Sequence, residues 1–207
     1  MTQLYHITHM QNLQSILVQD GLWCDNARQE LSLDPIGIAH DHIKQRRARK
    51  RVPLGAQGTL ADYVPFYFAP RSPMLYAIHR GAVTGYNGGQ GSVVHLVFEV
   101  EHILQHGLSY LFTDGHAEMM ISRFFSDPAH FDQIDWQIMQ ERYWNDTMMD
   151  GDRKRRRQAE FLVHRFVPWV LCSEIGVINT HIAEEVNAVL QAATHRPHVH
   201  VQRPWYY

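Results

Sequence analysis

Two hydrophobic periods run through this chain and rarely overlap. Continuous or alternating apolar runs, rich in β-branched and aromatic residues, predict short strands at residues 4–8, 65–69, 93–100, 159–167 and 175–179. Between them apolar residues recur at helical spacing. Residues 12–20 place Leu13, Ile16 and Leu17 on one face and stop at Gly21, a C-terminal helix signal. Ser72 and Pro73 open a second helix that carries Met74, Leu75 and Ile78 and ends at Gly81. Asp127 and Pro128 begin a third, through Phe131, Ile134 and Ile138 to about Trp144, and Thr180 caps a fourth containing Ile182, Val186, Val189 and Leu190. Residues 34–62 and 147–158 follow neither period and read as long loops, which in compact domains are disordered or functional. Strands without strict strand-helix alternation predict an α+β fold with mainly antiparallel pairing. The absence of a fixed-period repeat argues against solenoids and propellers.

Composition changes this picture little, but charge placement changes it more. The chain has 207 residues, 45% hydrophobic and 19% charged, which fits one ordered domain over 1–207. Its net charge of −2 names no partner. Six cations nevertheless cluster between Lys44 and Arg51, and five run unbroken from Arg153 to Arg157, one cluster in each unassigned loop. Two cysteines, Cys24 and Cys172, cannot build a multi-bridge framework, and Met1-Thr2-Gln3 leads straight into a predicted strand, so a reducing, cytoplasmic setting is expected. No apolar run approaches the ~20 residues of a membrane span.

Four groups of residues invite chemistry. Glu160 opens a predicted strand directly after the second basic run, where a rigid carboxylate would face an anionic polymer held by the loop; the same glutamate equally fits a counter-ion for its neighbouring arginines. Arg51 ends a run, with Lys44, Arg46, Arg47 and Arg49, able to track phosphates or to remain a solvated helix face. Alternation in the first strand puts His6 and Thr8 together, to contact a ribose or carboxamide or simply to satisfy each other. His198 and His200 share one side of an extended segment, a weak metal motif without supporting carboxylate or cysteine spacing, so no metal is expected.

Five co-linear blocks carry a resemblance. They are residues 4–17, opening Leu4-Tyr5-His6-Ile7-Thr8-His9, the arginine-rich segment ending at Arg51, residues 65–76, Phe112-Thr113-Asp114-Gly115-His116-Ala117, and Gln158-Ala159-Glu160-Phe161-Leu162-Val163. Together, from residue 4 to about 180, they resemble the DarT family of DNA ADP-ribosyltransferase toxins. The resemblance implies an ADP-ribosyltransferase fold, in which two small, mainly antiparallel sheets with flanking helices form a cleft for NAD, the substrate that donates ADP-ribose. It implies Glu160 and Arg51 as catalytic residues. His6, Ile7, Thr8, Ser15, Trp23 and Arg51 would contact NAD, under a covering loop at about 35–53. A substrate-binding region at about 119–160 would receive single-stranded DNA, with Lys44, Arg46, Arg47, Arg49, Arg153, Lys154, Arg155, Arg156 and Arg157 on phosphates. Tyr143 and Trp144 would offer stacking faces, and Gln158 would help select the acceptor. The family's role implies a toxin that modifies thymine, countered by a macrodomain antitoxin. Guanine, RNA or protein acceptors remain alternatives, as do a non-catalytic nucleic-acid-binding module and, more remotely, a metal-dependent nuclease using His198 and His200.

Overall fold

A computed structural model describes residues 1–207. In chain order the strands are β1 Gln3–His9, β2 Gly21–Trp23, β3 Tyr63–Tyr67, β4 Val93–Glu99, β5 Tyr110–Thr113, β6 Phe124–Phe125, β7 Glu160–His164, β8 Phe166–Pro168, β9 Glu174–Val177 and β10 His198–Val201. Eight form one sheet in the order β10-β9-β4-β1-β3-β7-β5-β6, and β2 pairs with β8 in a small second sheet. All pairings are antiparallel except β10 on β9. The expected α+β class is therefore observed, with one large and one small sheet.

The large sheet behaves as two blades. β1 and β4 pair along seven positions from Gln3↔Glu99 to His9↔Val93, and β3 pairs with β7 along five, yet β1 meets β3 only at Tyr5↔Tyr67. Sequence chemistry accounts for the split. Proline cannot donate to a ladder, so it is confined to unpaired strand edges. Pro65 sits mid-strand in β3, and its carbonyl accepts from His6 Nδ1 at 2.9 Å instead of from a β1 amide. A strand residue's N–H and C=O point the same way, so the missing donor of Pro65 also faces the gap.

Eight α-helices flank the sheets: α1 Asn12–Val18, α2 Asp25–Glu30, α3 Asp41–Arg47, α4 Pro73–His79, α5 Val100–Gln105, α6 Trp136–Gln140, α7 Arg153–Arg156 and α8 Thr180–Leu190. Ser72 caps α4 as expected, its hydroxyl accepting from Leu75 N at 3.1 Å. The cap of α8 is Asn179 rather than Thr180, with Oδ1 accepting from Ile182 N at 3.0 Å. The long helix expected from Asp127 is broken into a 3-10 turn, Pro128–Gln133, and the short α6, because Asp135 caps a fresh start by accepting from Ile138 N. Both supposed loops contain a helix: α7 is made of cations throughout, and α3 carries three, Lys44, Arg46 and Arg47, in its last turn.

The largest core cluster gathers Phe66, Phe68, Phe98, Phe161 and Val163 with the flanking helices, and a second buries Ile7, Leu75, Val93 and Tyr206 beneath α4. The C-terminal segment completes the second. A Cβ on Gly176 would lie 2.2 Å from the Trp205 ring, so glycine there lets that ring pack on the sheet.

His95 lies fully buried in β4, its Nε2–H donating to the Pro70 carbonyl at 3.0 Å while Nδ1 has no partner. Burial holds its pKa down at about 4, against an ordinary 6.5, despite that hydrogen bond. An unfolded histidine takes its proton near pH 6.5 and the folded one near 4, so stability is full above pH 6.5 and is lost as pH falls through that window. The loss per such histidine reaches roughly 3 kcal/mol. Thermal midpoints should therefore drop between pH 6.5 and 4.5. His95→Gln, which retains a donor for Pro70, should show a shallower drop; an equal slope would contradict this assignment.

Candidate active site

The gap between the blades opens into a cavity whose wall includes His6, Ile7 and Thr8 of β1, Tyr67 of β3 and Glu160 of β7. Glu160 is 3% exposed, and each of its oxygens has a partner. Oε2 accepts from Arg47 Nη1 at 2.8 Å, and Oε1 accepts from the Ala117 amide at 2.9 Å. Its own amide donates to Thr113 Oγ1 at 3.2 Å, which fixes the strand start against the turn after β5. In that turn a Cβ on Gly115 would meet the Arg155 guanidinium at 2.3 Å, so the residue's smallness admits the arginine.

Arg47 is the last residue of α3 and is buried beside the carboxylate. Burial alone would lower its pKa, but the charge and hydrogen bond of Glu160 outweigh that and raise it. Its Nη2 and the Trp23 indole Nε1 are buried without partners, and both residues line the cavity. Two unsatisfied donors at a cavity wall fit a ligand rich in acceptors, as NAD is, because an unpaired buried donor is costly. His6 is held neutral, its pKa pushed down to about 4 by burial, with the Pro65 hydrogen bond opposing. Thr8 Oγ1 accepts from Asn12 Nδ2 at 3.1 Å, leaving its own hydroxyl hydrogen free to donate.

Arg51 is not at this site. Four residues beyond Arg47 the chain has left the helix, and Arg51 lies exposed in an isolated bridge with Thr59. The first basic run thus delivers Arg47, not its final arginine, to Glu160. The helical turn of α3 buries position 47 while Arg46 faces out to Glu118 at 2.7 Å and Arg49 is exposed. Lys44, Ser15 and Trp23 do line the cavity.

Four of the five cations of the second basic run are engaged within the protein, two of them by carboxylates. Arg155 holds Asp152 and Asp114, and Arg156 holds Asp135 and Asp150. Arg157 is buried on backbone carbonyls, Arg153 donates to the carbonyls of Asn145 and Tyr143, and Lys154 is exposed. Gln158 binds the Lys154 carbonyl. Tyr143 is exposed, whereas Trp144 is buried with its indole donating to the Tyr207 hydroxyl at 2.9 Å, so it offers no stacking face. His200 faces Glu174 at 3.0 Å, and no three His, Cys, Asp or Glu side chains gather as a metal site.

Two residues escaped sequence reasoning. Asn12, buried in the first turn of α1, also clamps the Ile36 backbone through both ends of its amide, at 2.8 and 3.0 Å, tying the 34–47 segment over Thr8. A polar side chain facing inward from an amphipathic helix was the available signal. His116 places Nδ1 3.8 Å from Glu160 Oε1; burial lowers its pKa, with Glu160 opposing. Its place in the turn after β5 could not be joined to Glu160 without the strand pairing.

A family described as "ssDNA thymidine ADP-ribosyltransferase, DarT" matches residues 5–207. A DNA ADP-ribosyl transferase of Thermus sp. (strain 2.9) is 42% identical over 208 residues, covering 100% of this chain and 96% of that protein. The structure of Thermus sp. 2.9 DarT in complex with ADP-ribosylated ssDNA superimposes with a TM-score of 0.91 at 41% identity, covering 100% of this chain and 96% of that one. Thermus sp. 2.9 DarT in complex with NAD+ gives 0.87 at 39% identity, covering 100% and 98%. Family match, chain-long identity and a cavity built around a buried arginine–glutamate pair agree: the chain belongs to the DarT family and is an NAD-dependent DNA ADP-ribosyltransferase.

Proposed function

We propose that the enzyme transfers ADP-ribose from NAD to a thymine base in single-stranded DNA, as the toxin of a pair whose antitoxin is a macrodomain that removes the adduct. The family description supports thymine, and the observation that carries the chemistry is the buried Arg47–Glu160 contact at the cavity wall. Breaking the bond between nicotinamide and ribose sends its electron pair out with nicotinamide and leaves positive charge on the ribose carbon. Glu160, accepting from the ribose 2′-hydroxyl, would stabilise that charge more than it stabilises the ground state. It is poised to exchange a present partner for the ribose.

Arg47 takes the role the sequence reading gave Arg51. A guanidinium with a raised pKa is no proton acceptor, so its contribution is charge: Nη1 orients Glu160 while the unpartnered Nη2 faces NAD or the base as N3 bonds to the ribose carbon and its proton passes to water. His6, Ile7 and Thr8 would take the nicotinamide side, with Ser15 and Trp23 elsewhere on the wall; of the expected cover at 35–53, residues between Pro35 and Arg47 line the cavity, whereas Arg51 lies outside it. An unpaired strand is the sensible substrate, because thymine N3 is hydrogen-bonded in a duplex and freeing it costs a few kcal/mol. The exposed Met120, Met148, Met149 and Tyr143 within 119–160 supply apolar surface for such bases.

Mass spectrometry of a thymine-containing single strand treated with enzyme and NAD should show one added ADP-ribosyl group. Modification of thymine-free DNA, RNA or protein instead would replace this reading with the alternative acceptors. Glu160→Gln should lower transfer by ~10²–10³. Arg47→Lys keeps a cation for Glu160 but loses the second nitrogen, and should lower transfer comparably with its circular dichroism spectrum intact. Arg47→Ala strands a buried carboxylate and should also cost about 3–5 kcal/mol of stability. Arg51→Ala should stay near wild type; equal losses at 47 and 51 would refute the assignment. Co-expressed macrodomain should reverse both the adduct and the growth arrest.

A further inference from the structure

The strands that carry Tyr67 and Glu160 run on into a second concavity, a groove of about 690 Å³. Four arginines line it, Arg71, Arg142, Arg157 and Arg203, against one carboxylate side chain, Glu141, and the Tyr207 terminus. Elsewhere Arg28, Arg46, Arg47, Arg155 and Arg156 each hold an acidic side chain, but none of these four does, and only Arg203 meets an anion, the Tyr207 terminus.

Arg157 is the most unusual of them. It is 3% exposed, and its hydrogen bonds go only to the carbonyls of Ile138 at 2.5 Å, Met139 at 2.6 Å and Arg71 at 3.2 Å. Burial without a contacting carboxylate brings its pKa down to about 10, with Tyr207 opposing. A buried cation with no counter-ion is costly unless something compensates it. Arg71 adds a buried Nε that has no partner, and its guanidinium lies 4.2 Å over the Tyr207 ring. Trp144 fixes that ring through the Tyr207 hydroxyl, and Arg203 Nη2 donates to the Tyr207 terminal carboxylate at 3.1 Å. Arg142 and Arg203 are exposed at the rim. Two guanidiniums are thus held rigidly, Arg203 is tethered by one nitrogen to Tyr207, and Arg142 is free to close on a ligand.

The groove's distance from the reaction is bounded by the chain. Arg157 stands three residues before Glu160, so their Cα atoms are at most about 11 Å apart. A stacked single strand rises 3.4 Å per nucleotide, and an extended one about twice that. A backbone leaving the active site would reach the groove after two or three nucleotides.

We propose that this groove is a phosphodiester subsite, which grips the single strand two or three nucleotides from the base being modified. Guanidinium forks match the paired oxygens of a phosphate, and rigid forks lose little freedom on binding. The subsite rests on the proposed DNA reaction.

Arg142→Ser/Arg203→Ser removes the two exposed arginines together with the Arg203 bond to Tyr207, and a thermal midpoint equal to wild type verifies that the core is intact. Thymine strands of about three and about ten nucleotides, the second within the footprint of single-strand binders, separate the two sites. Wild type should use the longer strand at lower KM. The double variant should raise KM about 5- to 10-fold for the longer strand alone, with kcat and the KM for NAD unchanged. Its log-log salt dependence should flatten by roughly 1.4, two phosphates at 0.7 each. An unchanged KM and salt slope for the longer strand, with wild-type transfer intact, overturns the subsite. Inorganic phosphate that stabilises wild type but not the double variant, while strand KM stays equal, overturns a strand-borne ligand in favour of a free anion. Wild type that modifies neither strand overturns the proposed DNA reaction itself.

Discussion

A carboxylate sealed from water needs a cation fixed beside it, and the architecture around Glu160 follows from that constraint. Arg47 supplies the charge at 2.8 Å, and it can do so only because α3 ends against the start of β7. The pair therefore ties residues 34–47 to the central strands, while the Asn12 clamp on Ile36 ties the same segment to β1. Breaking one partner of such a pair costs several kcal/mol because the other is left charged and dry. The contact that shapes the site is thus also one that holds the cover segment in place.

The cavity exists because the large sheet is incompletely zipped. A single β1–β3 pairing leaves room beside it, and Pro65 prevents the gap from closing with ordinary ladder bonds. His6 serves two ends there, satisfying the Pro65 carbonyl and presenting a neutral ring to the cavity. Charges are sorted by the same packing. Arg155 and Arg156 of the second cluster are matched to aspartates and stiffen the approach to Glu160, whereas Arg157, without one, joins Arg71, Arg142 and Arg203 in a groove beyond the strand ends. A run of cations in sequence is therefore a poor guide to where positive potential meets a polyanion.

Much of this was readable in the chain. The main strands, the amphipathic α1 and α8, and the carboxylate at the start of β7 all announced themselves by local period and neighbouring residues. Misreadings had local causes too. Short strands such as β2 and β6 carry too few residues to show a period, and α3 and α7 hide in charge runs whose apolar face is nearly absent. Trp144 looked available for stacking, but its neighbour Tyr207 lies 63 residues away in sequence.

Periodicity and residue chemistry, being local, sufficed by themselves to specify the main strands, helices α1, α4 and α8, the α+β class and the candidacy of Glu160, His6 and Thr8. Which arginine meets that glutamate, which cations remain unneutralised, and that Asn12 and His116 border the cavity were decided only by tertiary structure. Helix phase and strand pairing bring together groups as distant in sequence as 47 and 160. The burial that makes their charges interact strongly arises only once the chain has folded around them.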